Sequence, residues 1–183
     1  MPSKTNVVIP NARLSYLFVF NKNANDKYSC TILLPKSDLA TKKAIDKAIE
    51  AARIAGADKF GGKVPTNLNT TVYDGDEPKP GGTERGPECK GMWIINASAQ
   101  QQPGLVDRRC NDIMDSTQLY SGCWANVDVN FYAYNTKTNR GIACGLNNIQ
   151  KVRDDEALGG RARARARDVF SALDEEEDDG LGL

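Results

Sequence analysis

The residues best suited to chemistry lie in one run, YSGCWANVDVNFYAYN at 120–135. Side chains of an extended strand alternate between two faces. The odd positions Cys123, Ala125, Val127, Val129, Phe131 and Ala133 form an unbroken apolar face, suited to a core. The even positions Trp124, Asn126, Asp128, Asn130, Tyr132 and Tyr134, with Tyr120 at the start, form a face of small polar groups interrupted by large rings. Rings set among polar groups on the outside of a sheet suit base stacking, at about 1–3 kcal/mol per base and with little regard to sequence, because every base has a π-face. The same rings would also suit packing under a loop or against a second subunit. Three rings on one polar face favour the binding reading. Trp93, in a strand of mixed apolar character, reads rather as core.

A stacking surface needs cations beside it to neutralise phosphates, which makes affinity salt-dependent. The candidates are Lys27, Arg140 and Lys151, with Arg108 and Arg109 in a long loop able to close over a strand, and Arg13 besides. Asp128 is unfavourable beside phosphates unless paired, and Lys27 or Lys151 would pair it. The acids of YDGDE (73–77), Asp74, Asp76 and Glu77, are the one cluster that would hold magnesium in a nuclease. Acids around a glycine more often build a turn. The chain has no histidine, which removes Ser-His-Asp and Cys-His catalysis and His-based zinc chemistry. It has no G-x-x-x-x-G-K-[ST] loop either. The expectation is no catalytic residue, no metal and no cofactor.

The elements that must position these residues are mostly strands. Residues 6–20 and 27–34 are rich in Val, Ile, Leu, Phe and Tyr, and the polar NKNANDK (21–27) between them suits a hairpin tip. From Ser37 the period becomes helical for roughly 18 residues, with Ser37 or Asp38 as cap, Leu39, Ile45, Ala48, Ile49 and Ala52 as the apolar stripe, and Gly56 as stop. TTVYD (70–74) reads as a short strand, GMWIINAS (91–98) as another, and 99–119 as a long polar loop. The strands at 120–135 and 140–154 are joined by a TKTN hairpin. Strands throughout, one helix and frequent turns indicate a small barrel.

The 183 residues suit one domain with a tail. Net charge is zero, yet seven acids and no base fall in 168–183, which leaves 17 acids against 24 bases in the preceding body. A basic body of +7 suits a polyanionic partner. Arg161, Arg163, Arg165 and Arg167 form a basic hinge before the acidic end. Residues 155–183 have no apolar periodicity and are expected to be disordered. The acids Asp174, Glu175, Glu176, Glu177, Asp178 and Asp179 followed by Leu181 and Leu183 resemble a strand of phosphates with an apolar tip. Such a tail would occupy the protein's own groove or dock partners. Five cysteines without a C-x-x-C pair read as reduced, small apolar residues. No apolar run approaches the roughly 18 residues of a membrane span, and the N-terminus has no hydrophobic signal segment, so no membrane and a cytoplasmic location are expected.

Three stretches, TVYDGDE (71–77), YSGCWANVDVNFYAYN (120–135) and GIACGLNNIQKVRDDEALGGR (141–161), resemble the single-stranded-DNA-binding proteins of tailed bacteriophages that have one OB-fold and an acidic C-terminal tail. The resemblance implies nonspecific binding to single strands in phage replication, recombination or repair, inside the infected host. The expected architecture is all-β with one or two helices: a five-stranded OB-fold barrel with long loops over 1–157, then a disordered tail over 158–183. Replication or recombination proteins at the tail and a homo-oligomer are the further partners considered. A magnesium-dependent nuclease and a structural phage protein are the competing readings.

Overall fold

The computed structural model describes residues 4–65, 68–158 and 170–173. Arg161–Arg167 and the acidic run from Asp174 to Leu183, including Glu175, Glu176, Glu177, Asp178, Asp179 and Leu181, lie outside the described residues. Eight strands run in chain order: β1 (Asn6–Phe18), β2 (Tyr28–Pro35), β3 (Asn69–Thr70), β4 (Val72–Asp74), β5 (Met92–Ala99), β6 (Gly104–Val106), β7 (Trp124–Asn135) and β8 (Arg140–Arg153), with one helix, α1 (Leu39–Ala55), after β2.

The sheet order is β3-β8-β7-β1-β2-β5-β4, and β5 also meets β8 in parallel at Ser98 and Gly145. Five strands, β1-β2-β5-β8-β7, thereby close partly into a ring, the partly open barrel of an OB-fold. The alternation expected of β7 holds. Cys123, Ala125, Val127, Val129, Phe131 and Ala133 are all 3% exposed or less. They meet Ile9, Leu14, Ile32, Leu34, Ile95 and Ile149 in one core. Two glycines let backbones approach where β8 closes the ring. A Cβ at Gly141 would run into the Asn69 carbonyl, and one at Gly145 into the Asn130 side chain.

β1 carries two bulges. Its register slips against β7 between Ile9 and Ala12 and against β2 between Ser15 and Phe18. Asn11 and Tyr16 sit inside these slips with φ of 47° and 45°. Bulges bend a strand and re-aim its side chains, and here the second turns Tyr16 outward.

Helix α1 begins where expected, with Asp38 rather than Ser37 as cap: its carboxylate accepts from Thr41 N at 3.1 Å and from Thr41 Oγ1 at 2.6 Å. Thr41, Ile45, Ala48 and Ala52 are buried against the barrel. Leu39, expected in that stripe, is 75% exposed. It lies two residues before Thr41, about 200° away around the helix at 3.6 residues per turn.

The expected strand at 70–74 is split at Thr71: β3 pairs with β8 and β4 with β5. The expected loop 99–119 contains β6, which pairs in parallel with β8. Four cysteines are buried, and burial pushes the Cys30 thiol up to about 12. Cys110 departs from the expectation. It is exposed, with a φ of 62°, in a turn held by the Asp107 carboxylate.

Asp38→Ala removes both cap bonds and should lower stability by about 1 kcal/mol, read as a shifted urea midpoint with unchanged slope.

Candidate nucleic-acid interface

The even face of β7 points outward, as its parity requires, but its rings do not form one surface. Trp124 and Tyr134 are ten residues apart, about 33 Å along a strand. Tyr132 is 43% exposed. Tyr134 is half-buried, with its hydroxyl over Gly141. Between them and Trp124 the face is laced by side-chain bonds: Asn126 donates to Gln150 at 3.0 Å, and Asn148 donates to Asp128 at 2.9 Å. Asp128 is thus paired by an amide and not by Lys27 or Lys151. Arg140 is exposed at the far hairpin and Lys27 beside the β1–β2 turn. Arg109 is exposed, while Arg108 donates to the Val152 carbonyl at 2.8 Å.

Trp124, Tyr120 and Lys151 do converge, at the end of β8, but on protein. The chain after β8 folds back as a strap over residues 154–158. Trp124 Nε1 donates to Asp155 at 2.7 Å, and the Arg153 guanidinium lies 4.4 Å over its ring. Tyr120 donates to Asp154 at 2.9 Å, and Lys151 pairs with the same carboxylate at 2.7 Å. Arg13 donates to the carbonyls of Gly122 and Glu156 at 3.1 and 2.8 Å and lies 3.9 Å from Asp155. Leu158 N donates to the Ser121 carbonyl at 2.8 Å. The sequence-predicted Lys151 is therefore neutralised in place, and Trp124 is covered on its polar edge.

Register places the strap within a larger pattern. Arg153 pairs with Trp124, Trp124 with Arg13, Arg13 with Leu33, Leu33 with Ile94, and Ile94 with Tyr73. These six residues, one from each of β8, β7, β1, β2, β5 and β4, form one transverse row across the outside of six strands. Leu33 and Ile94 are buried outside the barrel under Cys89, and Leu158 packs on this second cluster.

The adjacent row, Ser15–Thr31–Asn96, opens toward Asn96, which is exposed; Thr31 is half-buried and Ser15 is buried at the closed end. The row floors a cleft of about 370 Å³ lined also by Tyr16, Tyr73, Lys79 and Arg85. A second hollow of about 230 Å³ shares Tyr16, Thr31 and Asn96 and extends the path past Ser98 to Ala143 on β8. Tyr16 is 60% exposed, and the Arg85 guanidinium lies 5.3 Å over the Tyr73 ring. Thr31 donates to Asn96 Oδ1 at 2.9 Å, which leaves the Asn96 amide N–H groups for another acceptor. Thr71 Oγ1, at the inner hollow, is buried without a hydrogen-bond partner among the described residues. Exposed rings, cations and unspent hydrogen-bonding groups along one groove are what a flexible polyanion with planar bases requires.

The sequence reading missed this groove. Tyr16 falls outside any simple parity because of its bulge, and Lys79 and Arg85 stand in a loop without periodicity. The usable signal was Ser15, Thr31 and Asn96, polar residues inside otherwise apolar strands.

Two of the 73–77 acids, Asp74 and Asp76, have a structural task. Lys36 bonds Asp74 at 2.5 Å and Asp76 at 2.6 Å, and Asp76 also accepts from Gly91 N at 2.9 Å. The Lys36 hydrogen bond foremost holds both carboxyls below their ordinary range. Trp93 is half-buried, packed against the edge of the core as expected, with Lys36 and Lys42 4.9 and 4.5 Å from its ring. No cluster of three potential ligands for a metal occurs among the described residues.

The strap carboxyls titrate low as well. The Trp124 hydrogen bond, then the Glu156 amide, depresses Asp155, and Lys151, then Tyr120, depresses Asp154. Groups with depressed folded values stabilise above the ordinary carboxylate range, about 4, and lose that contribution as pH falls through the folded value. Tryptophan emission should therefore shift in a step below about pH 4, and Asp155→Asn should remove the part of it that reports Trp124. An identical step in both proteins would assign it elsewhere.

Comparison with known proteins shows the family. The chain matches, over residues 5–181, the family model described as Enterobacter phage Enc34, ssDNA-binding protein. A "putative protein p50" of Acyrthosiphon pisum secondary endosymbiont phage 1 is 27% identical over 157 residues, 82% of this chain and 83% of that protein. The single-stranded DNA-binding protein from bacteriophage Enc34, solved in complex with ssDNA, is 26% identical with a TM-score of 0.74, over 86% of this chain and 91% of that one. The bacteriophage T7 single-stranded DNA binding protein gp2.5 shares the fold at a TM-score of 0.61 and 10% identity, over 87% and 97% of the two chains. Matched across nearly its whole length, this chain belongs to the phage ssDNA-binding protein family of Enc34.

Proposed function

We propose that this protein binds single-stranded DNA without sequence preference, in the cleft over β2 and β5. The observation that carries the reading is the cleft floored by Thr31 and Asn96 with Tyr16 and the Tyr73–Arg85 pair at its sides, on the strands with which OB-folds take up oligonucleotides. Tyr16 offers a ring face to a base, and Arg85 and Lys79 meet phosphates. A related protein of the same family was solved with ssDNA, which supports the ligand class. Stacking and ionic contact read no base edge, hence the tolerance of sequence.

In this reading the rings of β7 divide. Tyr132, being exposed, extends the path of a long strand, with Arg140 and Tyr134 at the same hairpin. Trp124 and Tyr120 serve the strap. Lys27 and Arg109 add attraction from the rim. The acidic run from Asp174 to Asp179 acts as a phosphate mimic that competes for the cleft, with Leu181 and Leu183 able to engage replication or recombination proteins in the infected cell. A subunit-interface role for the β7 face is the alternative, testable by oligomeric state.

The test is titration of labelled oligo-dT, oligo-dA and duplex over a salt series. Tyr16→Ala should weaken single-strand binding about 5- to 150-fold, the equivalent of losing one stacked base. Arg85→Ala should weaken it and flatten the salt dependence by roughly 0.7 in slope. Full binding by both variants, with loss on Tyr132→Ala, would move the site to β7.

Removing residues 174–183 should tighten binding most at low salt. Equal affinity with and without them across the series would end the competition idea.

A further inference from the structure

The strap is over-determined for a connection of five residues. Asp154 and Asp155 together meet two rings, two arginines and a lysine. Arg13 holds the Glu156 carbonyl and Ser121 the Leu158 amide. Gly122, with a φ of 115°, leaves room for the strap, since a Cβ there would run into the Glu156 carbonyl. A mere exit from the barrel needs none of this.

The path explains the investment. The strap follows the transverse row from Trp124 over Arg13 and ends with Leu158 on Leu33, Ile94 and Cys89. Those three residues also line the cleft. Leu158 therefore stands at the cleft's edge, and Gly159, Gly160 and the alternating arginines follow it in sequence. From Leu158 to Asp174 it spans at most about 55 Å at 3.3–3.6 Å per residue. That is ample to bring the acids back along the adjoining groove.

We infer that residues 154–158 are a latch that fixes the exit of the C-terminal segment beside the cleft, so that its acids compete for that cleft within the same molecule. Trp124, Tyr120, Arg13 and Leu158 are thus positioning residues. Fixing the point of departure raises the local concentration of the acids at the cleft, and freeing it dilutes them without changing any contact to DNA. The inference rests on the single-strand reading above, and its first test is independent of DNA.

In the full chain, trypsin should cut first in the 161–167 stretch and spare the Arg153–Asp154 bond. The variant Trp124→Phe/Leu158→Ala should make Arg153 a site of early cleavage. Unchanged cleavage there would show that these two side chains do not hold the strap, and would overturn the inference whatever DNA does.

The second test is a two-by-two comparison with oligo-dT. Native and variant chains are each titrated with and without residues 174–183. Deletion should tighten the native chain roughly tenfold and the latch variant by a smaller factor, about sevenfold or less, because release lengthens the tether to Asp174 by five residues, with the two shortened proteins binding alike. An equal gain in both backgrounds would overturn the inference. So would equal weakening of the variant with and without the acids, which would make Trp124 a direct DNA contact. Loss of oligo-dT binding by every protein, native included, would remove the single-strand reading and with it the competition assigned to the latch. Early cleavage at Arg153 would then still report the anchoring itself.

Discussion

One strand closes the molecule. β8 gives its whole length on one edge to β7, and on the other edge it is shared by β3, β5 and β6 in turn. Every backbone donor and acceptor taken from water must find a partner, and here fourteen residues serve strands from four distant parts of the sequence. The close approaches at Gly141 and Gly145 are the cost of that sharing. With the ring closed around the Phe131–Leu14–Ile149 core, the outer face becomes a rigid surface on which side chains from separate strands fall into rows.

Two such rows, side by side, have different fates. In one, an ion-paired strap lies over Trp124 and Arg13, and Leu158 and Cys89 pack on Leu33 and Ile94. In the other, Thr31 and Asn96 floor the cleft between rings and cations. Both descend from the same pleat, and what separates them is where the C-terminal chain happens to run. Leu158 packs on a small apolar cluster, Leu33, Cys89 and Ile94, whose members also line the groove.

The charges show the same economy. Lys36 joins the 73–77 turn to the end of β2, Lys151 and Arg153 hold the strap, and Lys79 and Arg85 face the cleft. Exposed ion pairs of this kind contribute little to stability, typically 0–1 kcal/mol. Their consequence lies in assignment. A cation matched to a carboxylate nearby attracts phosphate weakly, so the basic body narrows to a few positions that matter.

The sequence by itself determined the long strands, the helix and its start at Ser37 or Asp38, the buried face of β7 and the family, because periods of two and 3.6 and the motif runs are local properties; the short β6 and the break at Thr71 have no such period. It also located the charge asymmetry of the two ends. Only the tertiary structure decided which rings are open. Trp124 and Tyr16 look alike as residues, yet one is bound by Asp155, thirty-one positions later, and the other is turned out by a bulge that shifts register by too little to be read from letters. Likewise Asp128 found Asn148 rather than a lysine, and the row beside the strap arose from pairings between strands far apart in the chain. Which side chain is exposed depends on what folds over it, and that is a property of the closed ring, not of any one segment.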